Sequence, residues 1–91
     1  MAKYDSICGQ ELMEIEEKGN EITFIFKDNR YLFVRVLNGK FQVDRTQYPS
    51  MKGKELARVE EKENELTLIF NDGNLPIKVE SGRLDANAVP E

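Results

Sequence analysis

The side chains that most often perform catalysis are scarce in this chain, and those present lack the neighbours that would activate them. Histidine, the commonest general base and metal ligand, is absent from the 91 residues. Cys8 is the only cysteine, and a second copy of the surrounding pattern, described below, has Lys52 in its place. Ser6 and Ser50 recur without a histidine or a Ser-x-x-Lys spacing to activate them. We therefore expect that the protein is not an enzyme.

Acidic residues are the other group that could do chemistry, as ligands of a cation. Glutamates cluster at positions 14–21 and again at positions 60–65, interleaved with Lys18 and Lys62. They lack the regular spacing of oxygen ligands found in a calcium-binding loop. Gly-rich phosphate motifs and Cys-x-x-Cys pairs are also missing. We expect no metal and no cofactor, and we interpret the clusters as solvated hairpins.

Length and composition predict one small globular domain covering residues 1–91. The chain is 40% hydrophobic and 33% charged, which is typical of a folded protein. Residues 1–5 contain no apolar run, so we expect no signal peptide, and no stretch is long enough to span a membrane. A single cysteine excludes an intramolecular disulfide. These features predict a cytoplasmic protein without a membrane partner.

An internal repeat organises the sequence. When residues 4–28 are aligned with residues 48–72, 14 of the 25 positions are identical. One extra residue follows Asp28, and the alignment then continues with a shift of 43. We interpret the pattern as an internal duplication, with repeats at 4–44 and 48–87.

Each repeat is predicted to form a four-stranded antiparallel meander. Asn38-Gly39 is a strong hairpin signal, because a type I′ turn needs positive φ at both central residues. A turn there would pair Val36 with Phe41. Ser81-Gly82 would form the equivalent turn in the second repeat. Both turns place apolar residues opposite apolar residues.

The connection between the second and third strands also has a turn signal. Asp72-Gly73 would close a hairpin with Phe70 opposite Leu75. The first repeat would reach the equivalent pairing through a three-residue loop, Asp28-Asn29-Arg30, which absorbs the extra residue.

The first strand of each repeat is less clear from the pattern. Residues 10–18 and 54–62 contain good helix formers, and apolar residues three apart would share one helical face. A turn at Gly19-Asn20 instead places Ile15 opposite Phe24, and in the same register Met13 faces Phe26. We favour strands over short helices here.

Eight strands with one apolar face per meander must bury those faces against each other. The predicted fold is therefore all-β, with two meanders packed as a pseudo-two-fold sandwich or a small barrel. The Tyr-x-Ser-x-x-Gly segment before each repeat, which we call the leader, is expected to add a short strand or a bracing loop.

The two repeats differ most on the outer face of the third strand. The outward residues of the first repeat are Tyr31, Phe33, Arg35 and Leu37. Their counterparts in the second repeat are Asn74, Pro76, Lys78 and Glu80. An exposed apolar cluster on a small domain usually marks a contact. We predict an interface formed by Tyr31, Phe33, Ile25, Leu37 and Leu12.

The expected occupant of this interface is a second subunit or another protein. Two-fold self-association is the commonest oligomeric arrangement, and a domain this small has a thin core. An intramolecular cover is the alternative, supplied by residues 46–52 or by the tail, 87–91. The predicted function is thus a non-enzymatic binding or assembly module.

Charge suggests a second function. Residues 29–58 carry a net charge of +5, whereas the flanking segments are acidic. A small anionic ligand such as a nucleotide could bind between the repeats or at a dimer seam. The residues predicted to line that site are Arg35, Lys78, Arg45 and Tyr48. Nucleic acid is disfavoured, because the acidic ends would repel a long polyanion.

Overall fold

A computed structural model of the chain describes residues 3–90 and confirms the all-β fold. The first repeat contains β1 (Leu12–Lys18), β2 (Glu21–Phe26), β3 (Arg30–Leu37) and β4 (Phe41–Val43). The second contains β5 (Leu56–Lys62), β6 (Glu65–Phe70), β7 (Gly73–Val79) and β8 (Arg83–Val89). A 3₁₀ turn (Arg45–Gln47) and one helical turn, α1 (Tyr48–Met51), lie between them. No helix in residues 3–90 is long and apolar enough to cross a membrane.

The eight strands form two antiparallel sheets that exchange their fourth strands. One sheet has the order β1-β2-β3-β8 and the other the order β4-β7-β6-β5. The predicted hairpins at Asn38-Gly39 and Ser81-Gly82 are therefore wrong. Val36 pairs with Leu84 of β8 and not with Phe41 of β4. The exchange leaves the residues of β4 and β8 on the faces expected for them, because the two fourth strands have apolar residues at matching positions.

The two connections that carry the exchanged strands cross in direct contact. Asn38 has φ of 61°, but Gly39 is not among the residues with positive φ, so no type I′ turn forms. A Cβ atom at Gly39 would lie 1.4 Å from the backbone oxygen of Ser81. One at Gly82 would lie 2.0 Å from the backbone oxygen of Leu37. Only glycine fits at either position.

The second and third strands of each repeat pair two residues out of the predicted register. Phe70 lies opposite Gly73, and Leu68, not Phe70, lies opposite Leu75. In the first repeat Phe24 is opposite Leu32. A shift of two keeps each side chain on the same face of the sheet, so the apolar pattern cannot distinguish the two registers.

β1 and β5 are strands, as favoured, and each contains a bulge. Ile15 lies opposite Phe24 as predicted, but the ladder shifts between Leu12 and Glu14, so Met13 does not face Phe26. The same shift occurs between Leu56 and Arg58 in β5. An extra residue in the strand lets apolar residues three apart both face the core. The bulge thus accounts for a spacing that resembles a helix.

The core lies between the sheets, with the leaders closing its ends. The inward positions are all apolar in β2 and β6, in β3 from Leu32 to Val36 and in β7 from Leu75 to Val79, and most of them are fully buried. The leader residues Ile7 and Met51 are also buried. Each large aliphatic or aromatic side chain buried in this way contributes about 1.5–3 kcal/mol.

Equivalent backbone hydrogen bonds from the two repeats join the two sheets. The Gly9 amide donates to the Leu56 carbonyl at 2.7 Å, and the Gly53 amide donates to the Leu12 carbonyl at the same distance. The two donor glycines are 44 positions apart along the chain, and so are the two acceptor leucines. The leaders act as bracing turns, confirming that part of the prediction, and equivalent strands of the two repeats share their burial patterns.

Replacing Gly39 with alanine tests the crossing. Because Gly39 has an ordinary φ, the cost of Gly39→Ala comes from the clash with Ser81, and we expect it to lower the free energy of unfolding by about 3 kcal/mol. Gly19→Ala is the matched control: Gly19 has φ of +60° and nothing within 4 Å of a Cβ. It should cost only about 1 kcal/mol. Urea denaturation measures both, and a Gly39→Ala variant as stable as wild type would contradict the crossing.

Candidate functional site

The outer face of the first sheet carries a cluster of apolar side chains. Ile25, Tyr31 and Val89 lie in one row across β2, β3 and β8, and Phe33 is two residues beyond Tyr31 on the same side. Met13 is the unpaired residue of the β1 bulge, and Glu14, which follows it, lies opposite Ile25. We call Met13, Ile25, Tyr31, Phe33 and Val89 the aromatic face.

The two aromatic rings of this face stack on each other. The ring centroids of Tyr31 and Phe33 are 5.9 Å apart with an interplanar angle of 22°. Met13 is 49% exposed and Val89 is 39% exposed. In residues 3–90 the only other large apolar residue with comparable exposure is Leu37, which is also in the first sheet. Exposed apolar surface is therefore concentrated on one of the two sheets.

The second sheet has polar or small residues at the same positions. Asn74 replaces Tyr31, Pro76 replaces Phe33 and Ala57 replaces Met13, whereas Ile69 matches Ile25. Both sheets have the same inward-facing apolar pattern. The second sheet therefore forms the same inward-facing pattern without an apolar outer face.

Val89 has no counterpart in the second sheet, because the two fourth strands differ in length. β8 pairs with β3 over seven residues, while β4 pairs with β7 over three. The Glu80 amide donates to the Lys40 carbonyl, so even-numbered amides of β7 point toward β4. Pro76 lies just past the last β4 pair and has no amide proton to leave unpaired there.

A row of alternating charges borders the aromatic face. Arg35 follows Phe33 by two residues on the outer side of β3. The outward residues in its row, from β1 to β8, are Lys18, Glu21, Arg35 and Asp85. An Arg35 nitrogen, Nη2, lies 3.3 Å from Oε2 of Glu21. The row therefore reads positive, negative, positive, negative from β1 to β8.

The predicted interface residues do not all share this surface. The structure places Ile25, Tyr31 and Phe33 together. Leu12 is fully buried, so its assignment to the interface is wrong: the bulge after it turns its side chain to the core. Leu37 is exposed but lies at the far end of β3, separated from Phe33 by Arg35.

The two predicted intramolecular covers take other positions. Of the tail, residues 87–89 belong to β8, which lies beside β3 in the plane of the sheet and adds Asn87 and Val89 to the outer face, and residue 91 lies outside the described residues. In the linker, Met51 is buried in the core, and Lys52 forms an ion pair of 2.6 Å with Glu14 at the β1 edge. The aromatic face is bordered by these segments.

The four residues predicted to bind an anion do not meet in one site. Arg35 is on the outer face of the first sheet and Lys78 on the outer face of the second, opposite Glu65. Arg45 and Tyr48 lie together after β4. An open depression of about 340 Å³ adjoins Arg45, and one of about 550 Å³ adjoins Lys78.

Arg45 and Tyr48 instead converge on one carboxylate. The Nε and Nη2 atoms of Arg45 donate to Glu17 at 2.8 and 2.6 Å, and the Tyr48 hydroxyl donates at 3.2 Å. The hydrogen bond from Arg45 lowers the pKa of Glu17. Burial, reinforced by the Glu17 charge, raises the pKa of Tyr48. These contacts attach the linker to the β1 edge.

The first leader makes the equivalent contact on β5. The Tyr4 hydroxyl donates to Oε1 of Glu61 at 2.7 Å, and Lys3 lies 3.7 Å from the same oxygen. Burial and the hydrogen bond to Glu61 raise the pKa of Tyr4. Tyr4 and Tyr48 are 44 positions apart, and so are Glu17 and Glu61. Each leader tyrosine therefore binds a carboxylate of the other repeat. The carboxylates serve as attachment points for the leaders.

The cysteine and the carboxylates were the remaining candidates for chemistry. Burial raises the pKa of the Cys8 thiol, so at neutral pH it is in the poorly nucleophilic protonated form. No group of three or more His, Cys, Asp or Glu side chains within residues 3–90 is arranged to hold a metal ion.

Two members of the aromatic face were missed by the sequence analysis. Val89 reaches the face only because β8 pairs with β3, and Met13 reaches it only through the β1 bulge. The three-residue spacing of Leu12 and Ile15, repeated in Leu56 and Val59, is the sequence signal for the bulge. The strand exchange has no such signal.

Comparisons with known proteins identify no relative. No protein-family model matches the chain, and no curated protein or solved structure matches it significantly.

The Arg45–Glu17 pair predicts a pH dependence of stability. Because the folded state lowers the pKa of Glu17, the pair stabilises the fold above the unfolded pKa of about 4.3 and loses this effect as the pH falls through the folded value. Glu17→Gln should lower the free energy of unfolding by about 0.5–1 kcal/mol at pH 7, the range for a solvent-screened pair.

Urea denaturation at pH 7 and at pH 3 measures this difference, which should shrink at the lower pH. Glu16→Gln, on the outer face of the same strand, removes one carboxylate and keeps the Arg45 pair. An equal loss at both pH values in Glu17→Gln would contradict the electrostatic role.

Proposed function

We propose that this protein is a non-enzymatic binding or assembly module that contacts another protein through the aromatic face. The face presents Tyr31 and Phe33 stacked on a rigid sheet, with Met13 and Val89 exposed at its edges. Aromatic residues and methionine are the types enriched in protein interfaces. Rigid rings also bind at a low cost in side-chain entropy.

The difference between the two outer faces is the observation that carries this proposal. Both sheets have the same strand order and the same inward pattern, yet only one has aromatic residues outside. At the equivalent positions of the second sheet, Asn74 and Pro76 occupy the outer face. The apolar side chains of the first sheet are therefore best explained by a contact beyond the domain.

Binding of a small anionic ligand is the alternative function, and it has less support. All four of its predicted residues already have acidic partners or neighbours: Arg45 and Tyr48 on Glu17, Arg35 beside Glu21, and Lys78 opposite Glu65. Lys78 lies on the opposite sheet. A ligand would have to displace Glu17 to reach the Arg45 guanidinium.

A charge placed at Phe33 should abolish the contact and leave the fold intact. Phe33 is half-buried on an outer face, so Phe33→Asp removes little core volume. Pro76→Asp makes the matched change on the second sheet and should leave binding unaffected. The readouts are the mass of the purified protein by light scattering and chemical crosslinking to proteins of its source cell.

The proposal requires that Phe33→Asp, but not Pro76→Asp, lose an assembly or a crosslinked product while keeping the circular dichroism spectrum of wild type. Identical masses and products for wild type and both variants would contradict it. So would unfolding of Phe33→Asp, since it would show that Phe33 supports the core.

A further inference from the structure

We infer that the partner of the aromatic face is a second copy of this chain, packed face to face about a two-fold axis that runs parallel to the strands between β2 and β3. This inference rests on the proposed function and names its partner. A two-fold interface must be complementary to itself, because each residue pair occurs twice. The strand register makes this property of the face testable.

A two-fold axis in this direction lays the apolar rows of the two copies over each other. It lays β1 of one copy over β8 of the other, and β2 over β3, with rows kept at the same height. In the first row Ile25 then faces Tyr31 of the second copy, and the β1 bulge, which contains Met13 and the ion-paired Glu14, faces Val89. In the next row Phe33 faces Thr23.

The charged row becomes complementary under the same operation. Lys18 faces Asp85 of the second copy, and Glu21 faces Arg35. Each pair has opposite charges and occurs twice in the dimer. No like charges lie opposite each other in this row, and like-charge contacts are a main means by which wrong partners are excluded.

A perpendicular axis centred on the Phe33 row is less favourable. It would lay the apolar row over the charged row of the second copy. Tyr31 would then face Arg35, and Val89 would face Asp85. Burying charges against apolar groups without partners is unfavourable, whereas the parallel axis pairs every residue of the charged row with an opposite charge.

The area that a stable dimer must bury explains why the inferred interface includes charged pairs. A standard interface takes about 800 Å² from each partner. The chain exposes 5460 Å², so the contact would use roughly one seventh of its surface. The outer side of a whole four-stranded sheet is required, and this includes the charged row as well as the aromatic face.

The second sheet does not provide an equivalent contact. Under the same operation Lys78 would face Glu65 of the second copy, so its charges are complementary too. Its apolar row, however, would bring Ile69 against Asn74. The inferred dimer therefore has one interface and does not extend into a polymer.

Charge reversal across the inferred axis is the test. Lys18→Glu should raise the dimer dissociation constant about tenfold or more, because two attractive pairs become repulsive. Asp85→Lys should have a similar effect. The double variant restores opposite charges and should return the dissociation constant to within about threefold of wild type. Lys62→Glu, at the equivalent position of β5, is the control for net charge.

Sedimentation equilibrium on the full chain over a concentration series supplies the dissociation constants. The inference is supported if Lys18→Glu weakens the dimer, Lys62→Glu does not, and the double variant recovers. It is overturned if Lys18→Glu and Lys62→Glu behave alike, or if the double variant is as weak as the singles.

A wild-type chain that stays at 10.5 kDa at every concentration would also overturn this inference. The proposed function fails separately, when Phe33→Asp leaves all contacts of the protein unchanged. A monomeric wild type whose crosslinked product is lost in Phe33→Asp would retain the function and replace the second copy with another protein.

Discussion

The contact between the two crossing connections is the constraint on which the rest of this structure depends. Gly39 and Gly82 bring two backbones so close that no side chain fits at either position. The crossing sends β4 into the second sheet and β8 into the first, so neither repeat can complete a four-stranded sheet alone. Each half therefore supports the other through backbone hydrogen bonds as well as through the shared core. The leaders repeat this logic, since Tyr4 and Tyr48 each bind a carboxylate of the other repeat.

The exchange also contributes to the difference between the two outer faces. After β4 the chain must return to start β5, so β4 ends at Val43 and the linker follows. β8 pairs with β3 from Leu37 to Tyr31, which places Val89 beside Tyr31. Two repeats with the same core thus present different surfaces: one that is polar, and one on which exposed apolar residues adjoin a row of alternating charges.

The class of fold and the face of almost every strand residue follow from the sequence, because alternation of apolar and polar residues records which side is buried. Partner choice does not follow. Val36 finds an equally suitable neighbour in Phe41 or Leu84, so the pattern cannot distinguish a hairpin from an exchanged strand. Register is undetermined for the same reason, since a shift of two preserves the faces. The site was predicted to the extent that it depends on faces: Ile25, Tyr31 and Phe33 were identified. Leu12, Met13 and Val89 depend on a bulge and on the exchange, and were misassigned or missed.

The central claim is that the outer face of the first sheet makes a contact and the matching face of the second does not. Ile25 and Ile69 occupy equivalent, half-buried positions on the two faces and differ only in their surroundings. Methyl NMR of isoleucine-labelled protein over a dilution series compares them within one molecule. The account predicts that the Ile25 signal shifts with concentration while the Ile69 signal stays fixed. Equal shifts of both signals, or no shift of either up to millimolar concentration and on addition of source-cell extract, would contradict it.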